Sequence, residues 1–325
     1  MVRIGVAVPS SAGDGYRVPT GYLGRFARRV EELGFAGVWT TEHLVPPPAY
    51  NTSRLDPLAT VATLAGETET VGVGTSILIL PMRNPVLVAK RAATIQHLSG
   101  DRLTLGLGVG WYDREFESVG VPFDERGPRF TEGLELLDRL FTEDEVTFDG
   151  EYYSVEEFTL EPRPSRPPRI VLGGGSKEVD GERRVLAAVK ERILRYADGW
   201  IGATRNPEVL TATWDDIASY LDEHGRDPET VDRLALNYGH LVPRTSGDVA
   251  REKQRKVYGR AVGPDRSVDF AMEHNLSGSV DEISDAVATF RDEGFDQLIV
   301  GPMVSDRTRL DAQVERYAEE LLPLV

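Results

Sequence analysis

Thr70–Gly110 reads "TVGVGTSILILPMRNPVLVAKRAATIQHLSGDRLTLGLGVG". It opens on the apolar run Thr70–Leu80, which has the composition of a strand buried on both faces. Asn84-Pro85 then supplies an N-cap followed by proline at the first helical position. The helix so begun stops at Ser99-Gly100, and "RLTLGLGVG" resumes as a strand. Strand, helix, strand over this span is a parallel βαβ unit. One detail is out of place: the hydroxyls Thr75 and Ser76 interrupt the apolar run just before its end.

The same alternation extends in both directions. "RIGVAVP" is the first strand, followed by a helix with Thr20 as its N-cap, the apolar stripe Leu23, Phe26, Ala27, Val30 and Leu33, and Gly34 at its end. "AGVWTT" is the second strand, and Asp56-Pro57 opens the next helix. After the fourth strand comes a helix through Phe130, Leu134, Leu137 and Phe141. "RIVLGG", "DGWIGA", "RLALNYGHLV" and "FDQLIVG" are strands five to eight, and a helix over about 307–322 closes the chain. Eight such units predict an α/β (β/α)8 TIM barrel, one domain over residues 1–325. A doubly wound open sheet is the alternative, because counting strands does not prove closure. Two stretches read as loop insertions. About 143–168 carries the hairpin signal Asp149-Gly150 and a proline-rich connector. About 243–275 is polar and irregular with one helical patch.

Composition narrows the function. The chain has 325 residues, a net charge of −16 and no cysteine. The acidic balance argues against nucleic acid or an anionic membrane surface as partner. Missing cysteine excludes disulfides, thiolate metal sites and cysteine nucleophiles. No run approaches the roughly 18 apolar residues of a membrane span, and the first residues are too short for a signal peptide, so a cytoplasmic protein is expected. Only five of the 37 basic residues are Lys. That bias, with the acid excess, resembles proteins of halophilic organisms.

In a barrel of this kind, chemistry sits at the carboxyl ends of the strands. Glu42 and His43 follow strand two, and His43 can orient a substrate or exchange a proton near neutral pH. Gly173, Gly174, Gly175 and Ser176 follow strand five and read as a phosphate-binding turn at a helix start. Trp111 and Tyr112 either line a pocket or pack. Arg126, Arg129 and Glu132 read as a structural charge cluster. His97 reads as structural and His224 as solvated, while His240 and His274 stay open. No metal-binding spacing of histidines and no nucleophile elbow are present.

"LSGDRLTLGLGVGWYDREFESVGVPFDERGPRFTEGLELL" resembles the signature stretch of the bacterial luciferase-like superfamily, in its branch of F420-dependent oxidoreductases. The likeness continues through "GFAGVWTTEHL", "FDGEYYSVEEFTLEPRPSRPPRIVLGGGS" and "ADGWIGA". It covers the first two thirds well and the last third weakly. The resemblance implies a bulged third strand with a cis peptide between Ser76 and Ile77 that backs the cofactor ring. It implies His43 as the catalytic group beside that ring, with Glu42 as helper or ring contact. Gly108, Val109 and Gly110 would edge the ring, and Gly173 to Ser176 would hold the cofactor phosphate. The expected cofactor is coenzyme F420, with FMN as the alternative.

The function so implied is hydride transfer between the deazaflavin and a small organic substrate, in a homodimer. The halophile-like composition favours F420. The rivals are an FMN-dependent monooxygenase using O2, a flavin-binding protein without turnover and, last, a metal-dependent hydrolase. One departure stands out: "KEVDGERRVLAAVKERILRYADGW" inserts about three extra helical turns. Its Lys177, Arg183 and Arg184 either meet an acidic cofactor tail or form a solvated helix face.

Overall fold

The computed structural model describes residues 2–8, 11–12, 18–50, 53–179, 182–304 and 309–324. Eight strands lie parallel: β1 (Arg3–Ala7), β2 (Gly37–Thr40), β3 (Gly72–Thr75), β4 (Leu103–Gly108), β5 (Arg169–Gly173), β6 (Gly199–Gly202), β7 (Asp232–Gly239) and β8 (Gln297–Pro302). Each pairs with its successor, and β8 pairs back onto β1 with Ile4 opposite Leu298. β4 and β5 join through Arg169 opposite Thr104 and Leu172 opposite Leu107, so the sheet closes into a barrel. The open-sheet alternative is thereby removed.

Buried strands still obey a period of two. Val6, Val38, Leu172, Trp200, Leu298 and Val300 face outward into the large core shared with the helices. Their neighbours Ala7, Trp39, Val171, Ile201 and Ile299 face inward and form a second cluster with Leu234 and Leu236. Trp39 is one of these lumen side chains and lies against the glycines of three strands. A Cβ on Gly5, Gly37 or Gly74 would lie within 2.7 Å of its indole, so these strand glycines are the space the ring occupies.

The helices are α1 (Tyr22–Glu32), α2 (Pro57–Glu67), α3 (Pro85–Ser99), α4 (Asp113–Ser118), α5 (Arg126–Thr142), α6 (Ala187–Tyr196), α7 (Pro207–Glu223), α8 (Gly247–Ala261), α9 (Val268–His274), α10 (Val280–Asp292) and α11 (Leu310–Leu321). Asp56 and Asn84 cap α2 and α3 as expected, accepting from Ala59 N–H and Val86 N–H, each at 2.9 Å. Thr20 does not cap α1. Gly21 takes that position with φ 71°, a left-handed conformation glycine adopts without a Cβ clash.

Two further expectations change. The segment after Ser176 is not extra helix. It is an antiparallel hairpin, Ser176–Val179 with Glu182–Val185, followed by α6. The sequence between those strands is Asp180-Gly181, a strong hairpin dipeptide; both residues lie outside the described set. Residues 243–275 are mostly helical, as α8 and α9, because Ala250, Gln254, Val257 and Tyr258 recur at helical spacing and are buried. The Asp149-Gly150 hairpin forms, Val146–Asp149 with Ser154–Phe158, but turns over four residues. Glu132 holds that turn by accepting the N–H groups of Glu151, Tyr152 and Tyr153 at 2.9, 2.8 and 2.7 Å. Among the described residues, no helix is long and apolar enough to cross a membrane.

Candidate active site

β3 ends at Thr75, the next peptide, Ser76–Ile77, is cis, and Leu78–Ile79 resumes pairing with β4. The two hydroxyls then divide their tasks. Thr75 Oγ1 donates to the Gly106 carbonyl at 2.7 Å, tying the kink to β4. Ser76 donates its N–H to the Thr40 carbonyl at 2.7 Å, tying it to β2. Ser76 Oγ is buried and finds no partner among the described residues. β4 accommodates the kink only because it carries glycine. A Cβ on Gly106 would stand 1.9 Å from the Thr75 carbonyl oxygen, and one on Gly108 would stand 1.7 Å from Ile77 Cδ1. The Ile77 side chain thus lies over Gly108, approaches Gly173 and packs against the lumen cluster of Trp39.

Glu42 is buried beneath this ledge. One carboxylate oxygen accepts the Ile79 N–H at 2.5 Å and the other pairs with Arg83. Arg83 also reaches Asp56 Oδ2 at 2.9 Å. Burial holds the Glu42 carboxyl above its ordinary value, against the opposing pull of Arg83 and the Ile79 N–H. Both oxygens therefore face the chain leaving the kink.

His43 meets a residue that the sequence did not single out. Its Nδ1 lies 3.3 and 3.4 Å from the two oxygens of Glu115, which is fully buried in α4. Glu115 also accepts the Leu44 N–H at 2.6 Å. A carboxylate at Nδ1 favours the tautomer protonated there and leaves Nε2 as the base. The sequence signal was weak: Asp113 and Glu115 both sit in the first turn of α4, where any acid suits the helix dipole. Around the imidazole stand Tyr50 at 5.6 Å and Trp111, edge-on, at 5.8 Å between ring centroids. Trp111 is 53% exposed, with Tyr112 packed 5.7 Å behind it, so Trp111 lines the mouth.

The remaining histidines have local partners. His97 Nε2 meets the Arg163 carbonyl at 3.1 Å, and His224 Nδ1 meets the Tyr220 carbonyl at 2.8 Å. His274 stacks on Phe270 at 3.7 Å. His240 Nδ1 lies 2.8 Å from the Met303 carbonyl, linking the ends of β7 and β8, and burial lowers its basicity. Arg126 covers the Phe123 ring at 3.7 Å and Arg129 pairs with Glu125 at 2.7 Å. Both therefore have structural partners, as Glu132 does. Among the described residues, no group of three or more His, Asp or Glu is placed to hold a metal ion.

The family model for luciferase-like monooxygenases matches residues 2–321. The chain belongs to this family. Within it, F420-dependent glucose-6-phosphate dehydrogenase of Kineococcus radiotolerans is 35% identical over 49% of this chain and 48% of its own length, so the chain aligns with about half of that relative. The enzyme of the same name from Beutenbergia cavernae is 29% identical over 90% of each chain. An F420-dependent secondary alcohol dehydrogenase structure superposes with a TM-score of 0.81 at 21% identity, covering 100% of this chain and 99% of its own, and confirms the fold.

On this luciferase-like barrel the turn after β5 differs from its expected form. Ser176 begins a strand of the hairpin instead of a helix, so the helix that follows, α6, starts only at Ala187. Gly174 gives its carbonyl to Trp200 Nε1 at 2.6 Å, and a Cβ on it would meet Val189 at 2.7 Å. A Cβ on Gly175 would meet nothing within 4 Å. Ser176 Oγ accepts from Thr213 Oγ1 at 3.2 Å. Lys177 and Arg184 are exposed and stand opposite each other in the hairpin register, off any helix face. The Arg183 side chain lies outside the described set.

Proposed function

We propose that the protein is an F420-dependent oxidoreductase that moves a hydride between the deazaflavin and a small organic substrate. The His43–Glu115 pair carries this reading: Glu42, the residue before His43, holds the Ile79 N–H at the end of the apolar ledge, so a proton-transfer group and that ledge share one end of the barrel. The residues suit a flat heterocycle edged with polar groups. Ser76 Oγ and Asn237 Oδ1, at the ends of β3 and β7, are buried polar atoms without partners among the described residues. The curated relatives named for F420 support the choice of cofactor.

When bound, F420 supplies a carbon that accepts or gives up a hydride. Ile77 backs the ring, while Gly108, Val109 and Gly110 edge it. Gly173, Gly174, Gly175 and Ser176 offer N–H and hydroxyl donors to its phosphate. His43 Nε2 takes the proton of a substrate hydroxyl, or returns it in the reverse direction, and Glu115 stabilises the imidazolium that forms. Glu42 acts through the bulge by holding Ile79. The same reading has the chain act as a single barrel domain over residues 1–325, in a cytoplasmic homodimer.

A second reading is an FMN-dependent monooxygenase using O2. It is favoured by similarity to the FMNH(2)-dependent dimethylsulfone monooxygenase of Pseudomonas putida, 26% identical over 81% of this chain and 76% of its own. Titrating the purified chain with F420 and with FMN, followed by absorbance, separates the two. Tight binding of F420 and weak binding of FMN is the expected result. The reverse result establishes the second reading, and binding without turnover across a substrate panel leaves a flavin-binding protein.

A further inference from the structure

The 243–275 insertion reaches the site. Between α8 and α9 the chain is stitched to the loop that follows His43. Tyr50 forms an antiparallel bridge with Val262. Gly263 N–H donates to the Ala49 carbonyl at 3.1 Å, and Asp265 N–H donates to the Pro48 carbonyl at 3.2 Å. The approach is close enough that a Cβ on Gly263 would stand 2.0 Å from the Pro48 carbonyl oxygen. A segment that follows β7 thus grips the loop after β2, three strands away around the barrel. Arg266, at the end of this stitch, lies 4.8 Å over the Tyr50 ring and 4.5 Å over Phe270. Its cation is engaged between two aromatic faces.

Tyr50 therefore has a fixed orientation, its ring 5.6 Å from His43 and 6.4 Å from Trp111. The Tyr50 and Trp111 planes meet at 72°. Such a corner offers a ring face and a ring edge to one flat or branched apolar group next to the base. We propose that Tyr50 and Trp111 form the specificity wall of the site, stacking the apolar or aromatic body of a neutral alcohol or carbonyl compound beside His43, and that Arg266 is the positioning residue that sets this wall. The proposal rests on the F420 reading for its chemistry. In the oxidation the carbinol C–H bond breaks with its electron pair, which passes as hydride to F420. The hydroxyl proton goes to His43 Nε2 and on to water, the C–O bond becomes a carbonyl, and ketone and reduced F420 leave.

The test uses 1-phenylethanol, 2-propanol and glucose 6-phosphate as substrates of the F420-loaded chain. Acetophenone is the binding probe, titrated by calorimetry into both the loaded and the unloaded chain. The wall predicts kcat/KM highest for 1-phenylethanol and lowest for glucose 6-phosphate. Trp111→Ala, at a half-exposed position that folding tolerates, weakens acetophenone binding by several-fold and up to about tenfold, the scale of one lost aromatic contact in a site. Arg266→Gln raises KM for 1-phenylethanol more than it lowers kcat, and Arg266→Lys restores part of the loss. Preference for glucose 6-phosphate, or acetophenone affinity unchanged in Trp111→Ala, overturns the proposal. Failure of F420 to bind overturns the cofactor reading instead, and the titration of the unloaded chain still decides the wall.

Discussion

His43 and Glu115 lie 72 residues apart in sequence and meet only because β2 and α4 open onto the same end of the barrel. That pairing makes separate demands on the two side chains. His43→Ala should lower kcat by about 100-fold or more, the usual worth of a positioned acid–base group, with little change in F420 affinity. Steady-state kinetics beside a fluorescence titration checks both halves, and unchanged turnover removes His43 from the mechanism. Glu115→Gln should also cost at least about tenfold in kcat, because an amide stabilises neither the correct tautomer nor the imidazolium. Glu42 behaves differently. Glu42→Ala leaves the part-buried Arg83 facing Asp56 alone, and should destabilise the fold by about 3 kcal/mol in denaturant unfolding. His43 was legible in the sequence as a histidine at a strand end. Glu115 was not, because an acid in the first turn of a helix has a sufficient local reason to be there.

At the scale of the element, the third and fourth strands form one device. The glycines of "LGLG" in β4 are spaces shaped by Thr75 and Ile77, as Gly5, Gly37 and Gly74 are shaped by Trp39. Gly106→Ala places a methyl against the Thr75 backbone oxygen and should cost about 3 kcal/mol, the upper range for overpacking. Gly108→Ala meets the movable tip of Ile77, so it should fold but weaken cofactor binding by displacing the ledge. Gly175→Ala, with open space around it, should match the parent in unfolding and so serves as the control. For the phosphate turn, Gly175→Asp is a cleaner probe than a change at Gly174, where Val189 would collide with any side chain. Loss of F420 affinity in Gly175→Asp, measured by titration, places phosphate there, and unaltered affinity moves that site elsewhere. Regular elements were readable from caps and periodicity: Asp56, Asn84 and Gly100 stand where the helices begin and end. The hairpin after Ser176 is hidden because "AAVKERILRY" has a helical composition that colours the residues before it, and the dipeptide Asp180-Gly181 is its one local signal.

Closure of the whole molecule follows from strand pairing that one sequence cannot display; only the register of β4 with β5 settles it. The carboxyl ends of the last strands are joined by His240, whose Nδ1 lies beside the Met303 carbonyl. Burial depresses its basicity below the usual value of 6.5, so the folded chain binds this proton less readily than the unfolded one. Its contribution to stability is then present above that usual value and is lost as pH falls through it toward the depressed one. Melting measured at about pH 7 and pH 5 should show a drop in Tm that His240→Gln reduces. An equal drop in the variant assigns the acid sensitivity to other groups. The indole that plugs the lumen has an optical consequence as well. Trp39 belongs to the lumen cluster against which Ile77, the residue that would back the cofactor, is packed, and it is 4% exposed, shielded from quenchers dissolved in the medium. Its ultraviolet emission should pass by resonance to any chromophore settling on that ledge, so the barrel contains its own donor for reporting occupancy.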